Sequence, residues 1–138
     1  MRTFEKNSFF WKTMKLCDRN FEGDNDKVIL PVVDYLSEKD DSVIFQFDDE
    51  LWNLLHSLDT EKIIERYTKN SDFLYVSDDC FLYWRCFVLL GGKKYYNAVK
   101  TGKNGIRYNC EFEALLYVAR NAWAKKHNAE AKDYPHFE

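Results

Sequence analysis

Residues 77–92 read Ser-Asp-Asp-Cys-Phe-Leu-Tyr-Trp-Arg-Cys-Phe-Val-Leu-Leu-Gly-Gly, and this stretch decides the fold class. Ser77 offers a side-chain oxygen to the first free amides of a helix. Asp78 and Asp79 put negative charge near the positive end of its dipole. From Cys80 to Leu90 the residues are apolar or aromatic on nearly every side except Arg85. A helix with no polar face belongs in the middle of a bundle. Gly91 and Gly92 end it, because glycine adopts the left-handed conformation without penalty. The expectation is an all-α fold: a single-domain helical bundle of about five to six helices around this central apolar helix.

The neighbouring segments extend the same pattern. Asn7-Ser8 can cap a first helix through Phe9, Phe10, Trp11, Met14 and Leu16. Gly23 to Asp26 reads as a loop. A short helix follows from about Lys27 to Glu38, with Pro31 tolerable in its first turn. The clearest surface helix starts at Asp40, Asp41 or Ser42 and carries Ile44, Phe47, Leu51, Leu54, Leu55 and Leu58 on one face. Asp59-Thr60 opens another through Ile63, Ile64 and Tyr67. Residues 70–76 fit loop, strand or helix. A helix from Lys93 to about Lys100 stops at Gly102, and a last one is predicted from about Cys110 to Lys126. Its stripe is Phe112, Leu115, Leu116, Ala119 and Trp123. One domain spans 1–138, with 128–138 expected to be a loose tail.

The 138 residues suit one ordinary core, and an aromatic fraction of 17% argues against disorder. The net charge of −3 favours no polyanionic partner, but its distribution is uneven. Residues 38–79 hold twelve acidic and four basic side chains, whereas 80–138 hold five acidic and ten basic. Opposed regions of this kind either steer a charged partner or neutralise each other across the fold. Cys17, Cys80, Cys86 and Cys110 form no C-x-x-C pair and read as reduced thiols. No run approaches the roughly 20 apolar residues of a membrane span, and the N-terminus lacks a signal-peptide pattern. A cytoplasmic location with no membrane contact is expected.

Catalytic patterns are few. Gly102-Lys103 lacks the earlier glycine of a phosphate loop, since position 97 is Asn, and Asn104 replaces the magnesium-binding hydroxyl. His56, His127 and His136 have no metal spacing, so neither a metal nor a cofactor is expected. Cys110 and His127 would lie some 25 Å apart on one predicted helix, too far for a nucleophile–base pair. Asp78 and Asp79 diverge by about 100° on a helix and read as capping residues. Arg85, always charged, requires an internal partner such as Asp78, Asp79 or Glu113, or else an anionic ligand at a cleft. Lys93, Lys94, Lys100, Lys103 and Arg107, interleaved with Tyr95, Tyr96 and Tyr108, form a basic stretch. The acidic pI and missing nucleic-acid motif make it a solvated face rather than a nucleic-acid surface.

Phe10-Trp11, Asp78-Asp79-x-Phe81, Trp84-Arg85, Gly92, Tyr96 and Ala98 together resemble a bacterial family of unknown function. Its members read Ser-Asp-Asp-x-Phe-x-x-Phe-Arg-x-Trp-Leu-Ile-x-x-Gly, and residues 111–113 and 117–119 are similar to it as well. Trp84 departs where Phe is common, and Phe87 where Trp is common. The resemblance implies a helical bacterial domain of the kind found among immunity proteins of toxin systems, and it brings no enzymatic activity. The functional expectation is therefore a non-enzymatic immunity-type protein whose partner is a cognate effector toxin. Phe45, Asp48, Asp49, Trp52 and His56, beside the apolar stripe of the acidic helix, are the candidate partner-binding residues. No catalytic residue is assigned. The alternative is a small-ligand or enzymatic site at Asp78, Asp79 and Arg85.

Overall fold

The computed structural model describes residues 6–71 and 77–136. Among them are seven α-helices and no strand, so the chain is all-α. The helices are α1 (Ser8–Met14), α2 (Asn25–Ser37), α3 (Asp41–Ser57), α4 (Glu61–Asn70), α5 (Asp78–Leu90), α6 (Lys93–Thr101) and α7 (Val118–His127). Short 3-10 turns occur at Arg19–Phe21, Glu113–Tyr117 and Ala131–Asp133. The chain divides into two compact units, Met1–Asn53 with Ala114–Glu138, and Leu54–Glu113.

In the first unit α2 packs along α7. Val28, Ile29, Val32 and Leu36 of α2 and Val118, Ala119 and Ala122 of α7 are buried. Small residues on α7 let the two backbones approach, and the branched chains of α2 fill the gap. Phe10 is fully buried, with its ring 5.1 Å from that of Phe47 on α3. Asn7 does not cap α1, since its side chain makes no cap hydrogen bond and its backbone is left-handed. Glu50 on α3 does that job instead, its Oε1 accepting the Phe10 amide at 3.1 Å. A side chain remote in sequence has satisfied a donor that the helix leaves free.

The second unit is built on α5. Ser77 caps it by accepting the Cys80 amide, as its sequence requires. Phe81, Trp84, Arg85, Cys86, Val88 and Leu89 are buried, and Leu82, Tyr83, Phe87 and Leu90 are half-buried. The apolar helix is therefore an interior element, as read from its composition. The fully buried Trp84 donates from its indole Nε1 to the Arg107 carbonyl at 2.9 Å and stacks on Tyr108 at 5.3 Å. Tyr67, capped into α4 by Thr60, packs against both Phe81 and Trp84. This aromatic cluster fixes the loop after α6 to α5.

Four details differ from the sequence reading. Asp24 caps α2 two residues earlier than expected, which places Pro31 inside the helix rather than in its first turn. The α1 helix ends at Met14, and Leu16 is 41% exposed. The final helix begins at Val118, not Cys110. The Phe112 amide donates to the Tyr83 carbonyl of α5, which withdraws it from a helical ladder, and a 3-10 turn follows. Cys110 and His127 therefore do not share one helix. Lastly, the segment expected to be loose is anchored at Tyr134, which is 8% exposed with its hydroxyl hydrogen-bonded, while residues 137–138 of it lie outside the described residues.

Candidate functional site

Phe45, Asp48, Asp49 and Trp52 lie at helical i, i+3, i+4 and i+7 positions, so α3 displays them as one stripe beside its buried face. The C-terminal segment lies across this stripe. His136 stacks on Phe45 with ring centroids 4.6 Å apart and planes 11° from parallel. Tyr134 meets Phe45 edge-on at 5.8 Å. The Tyr134 hydroxyl donates to Asp48 Oδ2 at 3.0 Å, and His136 Nε2 lies 2.7 Å from Asp49 Oδ1.

Three of the candidate partner-binding residues, Phe45, Asp48 and Asp49, are thus engaged within the chain. Phe45 is half-buried under the tail, and Asp48 is 7% exposed. Burial holds the Asp48 carboxyl above the usual carboxylate range, with the Tyr134 hydrogen bond opposing. Burial and the adjacent Asp48 charge push the Tyr134 hydroxyl up in turn. Asp49 and His56 are exposed, and Trp52 is half-buried. Trp52 forms a wall of a cleft of about 300 Å³ with Asp48, Arg120, Lys132, Tyr134 and His136. His56 does not line it.

Two carboxylates of the acidic stretch, Asp41 and Asp49, meet side chains of the C-terminal stretch within this unit. Asp41 of α3 is 2.8 Å from both Lys126 Nζ and His127 Nε2, and Lys125 pairs with Asp34. The Lys126 and His127 hydrogen bonds hold the Asp41 carboxyl below its ordinary value.

The structure does not join the alternative trio. Asp78 and Asp79 are exposed in the first turn of α5. Arg85 pairs with neither of them, nor with Glu113, among the described residues. Its Nη1 donates to the Leu55 carbonyl at 2.7 Å, and its guanidinium lies 4.6 Å over the Phe81 ring. Desolvation lowers its pKa, partly offset by Asp59. Nε is buried without a hydrogen-bond partner. This is a cation bound to a helix terminus rather than aimed at a ligand.

Sequence reading missed Tyr134 and His136, because a short C-terminal stretch after a helix stop carries no periodicity. The signal present was compositional, an aromatic and a histidine around Pro135. It also missed Arg66 and Asn70, which the fold brings to the Gly102–Cys110 loop. Among the described residues no group of three or more His, Cys, Asp or Glu is placed to hold a metal ion, and no helix is long and apolar enough to cross a membrane.

No curated protein and no solved structure matches the chain. A family model described as protein of unknown function (DUF4240) matches residues 6–125, nearly the whole of the helical part, and the chain belongs to that family.

Proposed function

We propose that this chain is a non-enzymatic immunity-type protein of the bacterial cytoplasm that binds and neutralises a cognate effector toxin. The contact surface in this reading is the exposed side of α3 beside the C-terminal segment. The observation that supports it most is the cleft walled by Trp52. Its aromatic wall can anchor a partner side chain, while Arg120, Lys132 and the nearby Asp49 set the charge around the rim. Aromatic anchors in partly desolvated pockets, ringed by polar groups, are how small proteins hold large partners. Such a protein needs no catalytic group, and rim charges govern how fast the partner arrives.

The test is co-expression of the chain with the toxin encoded beside it. Rescue of growth, lost on Trp52→Ala in a protein that still melts cooperatively, is the expected result. Equal killing with and without the chain overturns the reading.

A further inference from the structure

We propose that the second unit carries an anion site, in the cleft between α4 and the loop after α6, that takes the phosphate group of a small phosphorylated ligand. The cleft holds about 670 Å³, and its lining includes Arg66, Asn70, Lys103, Asn104, Arg107 and Tyr108. Three of the lining residues are cationic and none is acidic. Arg66, Lys103 and Arg107 form no ion pair with any described residue. The contrast with the first unit is direct, since there Lys125 and Lys126 are matched by Asp34 and Asp41. Three cations without an ion-pair partner among the described residues, set around one concavity, raise its potential and concentrate anions there.

The cleft is also built rather than merely exposed. Arg66 is held from behind: Nη1 donates to the Val99 carbonyl at 2.9 Å, and Nε to the Lys62 carbonyl at 3.3 Å. Its remaining N–H groups have no described partner. A Cβ at Gly102 would stand 2.6 Å from Arg66 Nη1, so the guanidinium lies directly against that glycine. The loop is pinned on both sides of Arg107. Tyr95 Oη accepts the Arg107 amide at 2.8 Å, and the Arg107 carbonyl accepts from Trp84. Gly102 and Gly105 have φ of 73° and 87°, turning the chain back toward α4. The amides of Asn104, Gly105 and Ile106 donate to no described residue. A held Arg66 guanidinium, the Arg107 and Lys103 cations and loop amides without a described acceptor are the chemistry that recognises a tetrahedral dianion. A carboxylate would match only part of that charge, and the size of the cleft leaves room for the body of a small phosphorylated molecule.

The site shares no residue with the α3 contact surface, so its test does not depend on a toxin. The full chain is titrated with inorganic phosphate at constant ionic strength, following the amide resonances of residues 102–110 and the Arg66 side chain. Saturable shifts confined to that group are expected. Lys103→Glu, at an exposed side chain with no described hydrogen bond or ion pair, should weaken binding by about tenfold or more. Arg66→Gln should do the same, and Arg107→Gln serves if loss of the Val99 contact unfolds that variant. Absence of saturation, or equal shifts in Lys103→Glu, overturns the proposal. So does a steeply salt-dependent response to single-stranded oligonucleotide with none to phosphate, since that is a polyanion groove.

Discussion

Arg85 Nη1 donates to the carbonyl of Leu55 at 2.7 Å, so a buried cation closes the C-terminal end of α3. The last carbonyls of a helix lack intrahelical partners and sit at the negative end of its dipole. Leu55 also accepts the Leu58 amide at 3.2 Å, a 3-10 contact that tightens this final turn. Arg85 is therefore a structural residue of the second unit. It explains how α5 tolerates one charge among its apolar neighbours.

Arg85→Ala should destabilise the protein by about 2–4 kcal/mol, combining a cavity with the loss of a buried charge-assisted hydrogen bond to the Leu55 carbonyl. Arg85→Met should cost less, about 1.5 kcal/mol or under, because the stem volume is kept and the desolvated charge disappears. Urea denaturation of both variants checks the order. Equally large losses for Met and Ala would mean that the charge and its hydrogen bond, rather than the stem volume, carry the effect.

Gly102→Ala is expected to cost more than the usual about 1 kcal/mol for a non-glycine residue in the left-handed region. The added methyl also meets Arg66 Nη1 and must displace it from the Val99 carbonyl. Thermal melting gives the size of the loss. Unlike it, Gly23→Ala, with φ of 99° but open space around the Cβ, should show the conformational penalty alone.

Asp48 makes a pH prediction with a definite sign. A carboxyl whose folded-state pKa lies above its unfolded value binds protons more tightly when folded. It therefore weakens the fold at neutral pH, and that weakening fades as pH falls through the raised value toward 3.8. Asp48→Asn keeps an acceptor for the Tyr134 hydroxyl and removes the buried charge, so it should stabilise by the order of 1 kcal/mol at pH 7. The gain over the wild type should shrink on acidification. Asp41 behaves oppositely, its lowered pKa contributing stability at neutral pH that disappears as pH falls below the ordinary carboxylate range. Melting curves of Asp48→Asn and Asp41→Asn across that range should diverge in these two directions.

What the sequence revealed follows from the range over which each feature is encoded. The cap at Ser77, the apolar run to Leu90 and the α3 stripe from Ile44 to Leu58 are local patterns, and each was legible. The break before α7 was not, because it depends on the Phe112 amide finding the Tyr83 carbonyl of another helix. Asp48 looked like a surface acid for the same reason. Its burial is imposed by Tyr134, eighty-six positions along the chain. The Phe45–Trp52 stripe was found as a set, but its division into covered and open residues came only from the tail.

That division shapes the partner prediction. Phe45 is already covered by the stacked His136 ring, so Phe45→Ala should act on stability and leave the rate of partner association nearly unchanged. Trp52→Ala, at the cleft wall, should instead raise the dissociation rate, weakening the complex by about 2 kcal/mol as an interface anchor does. Asp49→Lys should slow association in a salt-dependent way, as rim charges do when they steer an approaching partner. Surface plasmon resonance on the toxin complex separates the three behaviours. If all three variants changed only stability, the α3 stripe would be an internal seam closed by Tyr134 and His136, and recognition would have to reside elsewhere on the chain.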